Sequence, residues 1–375
     1  MSGAGLVRGD ALAIPLGDAT VDLIVTSPPY FALRSYRDGG EHYDGQIGSE
    51  ATPTAFLEAL WAVTAECWRV LKPGGSLFVN LGDKYAGTGG GNNQSGISAK
   101  STLQGNGHTG GVGAAGPTKI KATPRGDTDR FSMPTNNTKQ TSGFVRAKSL
   151  MGLPWRYAIG CIDGQADPDG RGWILRSEVI WSKPNGLPSS VTDRVRRSHE
   201  QWFHLTREGD YHSEVDAIRE DYAPGTLAAY AKGGLVSSIG DGFHPSKENA
   251  AIRLDGDPSA WTGNPLGKLP SSVWTIATQP LLVPAHLGVD HFAAFPTEWP
   301  RRLILGWSPP GGVVFDPFGG TGTTAMVARA LGRYGVSMDL SADYQRLARW
   351  RIWESGQAAK VAAKTDGERQ AELFA

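Results

Sequence analysis

One stretch near the end of the chain narrows its fold more than any other. Val313 to Phe315 is an apolar run leading into Asp316-Pro317-Phe318-Gly319-Gly320-Thr321-Gly322-Thr323-Thr324. Thr323 to Leu331 then has helical spacing, and Tyr334 to Leu340 is a second apolar run. Strand, glycine turn, helix and strand in that order make a βαβ unit, which demands a parallel sheet covered by helices. The glycines let the backbone approach a ligand closely, and the first N–H groups of the helix stay free to meet it. Asp339 follows Gly320 by 19 residues at the end of the next strand, where a carboxylate can accept from both hydroxyls of a ribose. The unit reads as a nucleoside-cofactor site. The Gly-Lys-Ser/Thr ending of a phosphate-binding loop is absent, which disfavours a nucleoside triphosphate.

The rest of the chain has to supply the other strands of that sheet. Val21 to Val25 is a buried-strand pattern stopped by Pro28 and Pro29, and Ser76 to Leu81 is another. Between them Thr52 to Leu71 carries apolar residues at helical spacing, with Thr52 as cap and Pro73-Gly74-Gly75 as terminator. Trp173 to Trp181 and Gln201 to Leu205 read as two further strands. At 375 residues the chain exceeds one ordinary core of about 150. One large α/β domain with an insertion or second lobe is expected.

A second motif, Thr26-Ser27-Pro28-Pro29-Tyr30, ends the first of these strands, where open α/β sheets keep their sites. Pro28 holds Ser27 extended and donates no backbone hydrogen bond, so the Ser27 hydroxyl and the Pro28 carbonyl can point outward as adjacent acceptors. Two adjacent acceptors suit an –NH2 group, and Tyr30 offers an aromatic face for a planar base.

Charge decides which partners need local patches. Lys plus Arg (37) equal Asp plus Glu (37), which excludes a wholesale polybasic binder. Gly87 to Gly116 holds 11 glycines, and Lys84 to Lys148 holds nine basic residues against two acids, a flexible cationic loop. Arg171 to Arg207 holds seven against three, making Lys183, Arg194, Arg196 and Arg197 candidates for phosphate contacts. The two cysteines, Cys67 and Cys161, have neither zinc-ligand nor disulfide-framework spacing and sit in apolar helical patterns that read as core. No metal site, signal peptide or membrane span is expected, and the chain reads as soluble.

Together these residues resemble a known family. Ser-Pro-Pro-Tyr after an apolar strand, with Asp-Pro-Phe-x-Gly-x-Gly-Thr-Thr, is similar to the signatures of S-adenosylmethionine-dependent DNA amino-methyltransferases. The motif order resembles their circularly ordered beta class. Arg8-Gly9-Asp10, Leu71-Lys72-Pro73-Gly74-Gly75, Trp181-Ser182-Lys183-Pro184-Asn185, Ser198-His199-Glu200 and His291-Phe292-Ala293-Ala294-Phe295-Pro296-Thr297-Glu298 are also family-like. The resemblance implies an α/β, Rossmann-like methyltransferase sheet, mostly parallel with one antiparallel edge hairpin, for which 173–207 is the candidate. Ser27, Pro28, Pro29 and Tyr30 would be catalytic. Asp10, Phe295, Pro296, Asp316, Phe318, Gly320, Gly322, Thr323 and Asp339 would bind S-adenosylmethionine, Asp339 standing where the family often has Glu.

Composition and motif placement together divide the chain into a catalytic part (1–86), a Gly-rich loop (87–145), a continuation with the hairpin (146–207), an inserted target-recognition region (208–270), a cofactor-binding part (271–354) and a frayed tail (355–375), the resemblance being weak or absent in 87–145 and 208–270. Within the recognition region His212, Arg219, Lys247, Asn249 and Arg253 are available to read bases. The implied substrate is double-stranded DNA, with the target base flipped out; the implied partner is a restriction endonuclease sharing the site, and the location a bacterial or phage-infected cytoplasm. Serine at the first motif position favours the amino group of cytosine (N4) over that of adenine (N6). RNA or a protein amide is a more distant alternative.

Overall fold

The computed structural model of the chain describes residues 3–32, 46–87, 145–186, 191–223, 266–289 and 294–373, with the isolated positions 37–38, 41–42, 188 and 264. The strands are β1 (Gly3–Arg8), β2 (Val21–Thr26), β3 (Arg37–Asp38), β4 (Glu41–His42), β5 (Leu71–Leu81), β6 (Ile174–Ser182), β7 (His199–Thr206), β8 (Val273–Thr275), β9 (Val313–Asp316) and β10 (Tyr334–Asp339). Apart from the small β3–β4 ladder they form one sheet in the order β1-β10-β9-β2-β5-β7-β6-β8. From β1 to β5 all neighbours are parallel, and β7 runs antiparallel to both β5 and β6. The expected hairpin is therefore β6–β7. It is not the edge, because β8 adds outside it, parallel to β6, with Trp274 buried against Trp299 at 4.9 Å between ring centroids.

Alternation along the strands sorts side chains onto two covered faces. Leu77, Val79, Phe203, Leu205 and Phe315 point to the face covered by α1 (Pro53–Val70) and α2 (Leu153–Ile162). Leu23, Val25, Phe78, Trp202 and Val314 point to the other. There they meet α3 (Glu298–Trp307), α4 (Thr323–Ala330), α5 (Ala342–Trp353) and α6 (Gln357–Leu373). Each buried aliphatic or phenyl side chain contributes about 1.5–3 kcal/mol. Both faces are thus anchored by the central strands that carry the two motifs.

Three expectations change. Helix α1 is capped by Thr52, whose hydroxyl accepts from the Ala55 N–H at 3.1 Å, but it ends at Val70. Pro73-Gly74-Gly75 lies inside β5, where the register with β2 shifts between the Val21–Leu71 and Leu23–Ser76 pairs. Gly75 is required there because a Cβ would stand 2.8 Å from the Asp22 carbonyl. The tail is helix α6, with Val361 and Thr365 buried and Lys364 paired to Glu298 at 2.7 Å. The start of the recognition region is not a separate lobe: Glu214 N donates to Gly306 O at 2.7 Å, and Ile218 is buried in the second core. Residues 224–263 and the Gly-rich segment 88–144 lie outside the described residues.

Candidate active site

The two sequence motifs meet at the centre of the sheet because β2 and β9 are neighbours, each ending at the same rim. Asp316, the last residue of β9, fastens them. Its Oδ1 accepts from Thr26 Oγ1 at 2.7 Å and from the Phe318 N–H at 3.1 Å; its Oδ2 accepts from Thr324 Oγ1 at 3.0 Å. Burial pushes the carboxyl up to about 6, and the Thr26, Phe318 and Thr324 donors pull against that rise. Asp316 is 1% exposed. Its side chain shapes the turn, the carboxylate being engaged by Thr26, Phe318 and Thr324.

The glycine turn is set by tight approaches. Gly319 N donates to Met338 O at 2.7 Å, and a Cβ on Gly319 would fall 1.9 Å from Ser337 Oγ. Gly322, at φ +73°, precedes α4 in the left-handed region. The Thr323 hydroxyl, also expected to touch cofactor, is buried against Arg351, with Nη1 to Oγ1 at 2.5 Å. Asp339 keeps the expected place at the end of β10. Its Oδ2 accepts from Gly320 N at 3.0 Å and its Oδ1 from Ser341 N at 2.8 Å, and the side chain is half-buried. Register pairs Arg8 with Asp339, and Gly9 N donates to Asp339 O at 3.2 Å, so exposed Asp10 stands beside the same rim. Phe318 and Pro28 line one small internal cavity. Phe295 packs edge-on against Trp202 at 5.8 Å, and Pro296 is buried just before α3. His291 to Ala293 lie outside the described residues.

The Ser27–Tyr30 turn is held from β5 and β7. Ser27 Oγ donates to Asn80 Oδ1 at 3.2 Å, and the Tyr30 hydroxyl lies 2.8 Å from the same oxygen and 2.9 Å from Glu200 Oε2. The Tyr30 ring lies against Gly82, where a Cβ would stand 2.6 Å from Cε2. Asn80, Gly82 and Glu200 were not identified as site residues from the sequence. Asn80 was the visible clue, a polar residue in the apolar run Ser76 to Leu81.

The basic candidates separate. Lys183 is ion-paired with Glu200, the two side chains 19% and 17% exposed, and its Nζ sits 4.1 Å from the Trp181 ring centroid. Arg194 is exposed and lies over Tyr85 at 3.6 Å. Arg196 is exposed and donates to Gly186 O; Arg197 donates to Gln201 Oε1 at 3.0 Å. Arg219 is held by Asp216 Oδ1 at 2.6 Å and Gly267 O at 2.8 Å, and the His212 N–H donates to Gly74 O at 3.0 Å. Lys247, Asn249 and Arg253 lie outside the described residues. Cys67 and Cys161 are core residues, and burial raises both thiols far above the range where a thiolate forms. Among the described residues no helix is long and apolar enough to cross a membrane.

A family model for DNA methylases matches residues 21–349. The chain belongs to this N6/N4 family and is a DNA methyltransferase acting on amino groups. Among individual proteins it is similar to the type II methyltransferase M.Cfr9I of Citrobacter freundii, 32% identical over 366 residues, covering 97% of this chain and 92% of that protein. It is also similar to M.SmaI of Serratia marcescens, 31% identical over 349 residues, covering 92% and 90%. In fold it resembles the PvuII DNA methyltransferase (cytosine-N4-specific), with a TM-score of 0.55 and 15% identity over 97% of this chain and 93% of that one.

Proposed function

We propose that the chain transfers a methyl group from S-adenosylmethionine to the N4 amino group of a cytosine flipped out of double-stranded DNA. The observation that carries this reading is the Thr26–Asp316 hydrogen bond of 2.7 Å, which fastens the acceptor turn to the cofactor turn. The rim residues fit the cofactor: half-buried Asp339 places a carboxylate at the end of β10, the chemistry that meets ribose hydroxyls, and Asp10 stands beside it. When bound, S-adenosylmethionine supplies an electrophilic sulfonium methyl.

The chain's own residues deal with a poor nucleophile. The lone pair of an exocyclic amine is delocalised into the ring. Accepting its two N–H groups on Ser27 Oγ and the Pro28 carbonyl favours a pyramidal nitrogen and frees the lone pair to attack the methyl carbon. A neutral hydroxyl is no strong base, so one amine proton leaves to solvent during or after transfer. Positioning and electrostatics supply the acceleration, up to roughly 7–11 kcal/mol in favourable cases. Tyr30 stacks on the extruded base, whose flipping costs a few kcal/mol. Ser27 supports cytosine over adenine through the resemblance noted above. Arg194 and Arg196, exposed at the mouth of the β6–β7 hairpin, are the phosphate contacts, and a restriction endonuclease sharing the recognised sequence is the functional partner.

The test is incubation with labelled S-adenosylmethionine and DNA free of amino methylation, followed by mass spectrometry of the nucleosides. N4-methylcytosine is expected, and Ser27→Ala should abolish it while cofactor affinity holds. N6-methyladenine would overturn the choice of base but leave the site intact; equal loss of turnover and cofactor affinity in Ser27→Ala would make Ser27 structural.

A further inference from the structure

Asn80 and Glu200, which do not meet the target base, hold the two side chains that do, Ser27 and Tyr30. Asn80 is 1% exposed, and its amide orientation is dictated by Nδ2 donating to Gln201 O at 3.1 Å. Its Oδ1 is thereby turned to Ser27 and Tyr30. Glu200 offers Oε2 to the Tyr30 hydroxyl and Oε1 to Lys183. The hairpin β6–β7 thus reaches the catalytic turn through side chains of residues 183 and 200.

We propose that Asn80 and the Lys183–Glu200 pair are positioning residues for the methyl-transfer site, Asn80 fixing the polarity of Ser27 and Glu200 fixing the plane of Tyr30. The inference rests on the reading of Ser27 as the acceptor of the target amine. A free hydroxyl can rotate to present either its proton or its lone pairs. Facing an amine, only the lone pairs are useful. By drawing the Ser27 proton to Oδ1, Asn80 leaves those lone pairs for the substrate. A carboxamide oxygen is not a base at neutral pH, so it sets this polarity without removing the proton.

The Tyr30 hydroxyl has one proton and two acceptors within reach, the carboxylate being the stronger. Donation to Glu200 ties the ring to β7, while Gly82 supports its edge. Lys183 compensates the charge of Glu200 within the site. Its ammonium therefore acts through Tyr30 and not on the DNA backbone.

A double-mutant cycle on the full chain tests this, reading single-turnover methylation of DNA free of amino methylation. Tyr30→Phe keeps the ring, and Glu200→Gln keeps the shape of its side chain. Each is expected to slow transfer about tenfold, and the double variant to be no slower than the slower single. Asn80→Ala should slow transfer similarly, with Asn80→Asp, which keeps an acceptor at Oδ1, recovering part of the rate. S-adenosylmethionine affinity should hold in all of them, and melting temperature in the Tyr30 and Glu200 variants, while the Asn80 variants lose some stability with the hydrogen bond to Gln201 O. Lys183→Met should leave the salt dependence of DNA binding unchanged, since a lost phosphate contact would lower its slope.

Multiplying effects in the Tyr30/Glu200 double variant, or a lowered salt slope in Lys183→Met, would overturn the proposal. If Glu200→Gln lost its melting transition, the same cycle run with Lys183→Met would read the coupling. Ser27→Ala separates the two levels. Full activity in that variant removes the functional reading itself; a dead Ser27→Ala with a multiplicative cycle removes only the positioning role.

Discussion

Gly82→Ala adds one methyl group at the point where the structure has least room for it. The new Cβ would stand 2.6 Å from Tyr30 Cε2, 3.0 Å from Cδ2 and 3.3 Å from Cζ. Ordinary contact begins near 3.4 Å, so the ring must withdraw by at least about 0.8 Å. A shift of that size is enough to strain the Tyr30 hydroxyl's bonds of 2.8 and 2.9 Å to Asn80 and Glu200. A misplacement of about 1 Å near the reacting groups costs roughly 10²-fold in rate, or about 2.7 kcal/mol of barrier. Cofactor binding should not change, because Asp339 and the glycine turn lie on β10 and after β9. The assay is single-turnover methylation with calorimetric titration of S-adenosylmethionine as control. A rate within about threefold of the parent, with the cofactor still bound, would refute the claim that the placement of the Tyr30 ring limits transfer.

Two further outcomes follow from the same geometry. Asp339→Ala should weaken S-adenosylmethionine binding about 10- to 100-fold by removing charge-assisted hydrogen bonds, with a smaller effect on the saturated rate; titration and kinetics on one preparation separate the two. Glu298 sets a pH dependence of stability. Its burial raises the carboxyl, but Arg301, Lys364 and Arg302 outweigh that and hold it down to about 2. A depressed carboxyl stabilises the fold above its unfolded value, and the benefit is lost as pH falls through the range from about 4.5 to 2. Glu298→Gln should therefore cost about 3 kcal/mol at pH 7 and much less at pH 2.5. Urea titrations showing the same loss at both values would count against this assignment.

Legibility in the sequence follows the range of the interactions. The runs Val21 to Val25 and Val313 to Phe315 were readable because turn residues punctuate short apolar stretches, and β2 and β9 stand where they indicated. Strand β8 has three residues and no period to detect; what places it is Trp274 packing on Trp299. Helix α6 was hidden because its described apolar and polar anchors are as sparse as Val361, Lys364 and Thr365. Pro73-Gly74-Gly75 was misread because a bulge and a helix stop draw on the same residues. The motif residues of the site stood out, yet Asn80 and Glu200 reach Tyr30 from 50 and 170 positions away. No local pattern encodes such a meeting.

The adjacency of β2 and β9 also has a temporal meaning. Thr26 and Asp316 are 290 positions apart. At about 5–20 residues per second a ribosome needs roughly 15–60 s to pass from one to the other. Throughout that interval the emerging chain has an acceptor turn with no neighbour at β9 and no cofactor turn. A polypeptide released before Val313 would carry Ser27 and Tyr30 but lack the glycine turn and Asp339. The two motifs can therefore meet only late, once β9 has been made to stand beside a strand made almost at the start of synthesis.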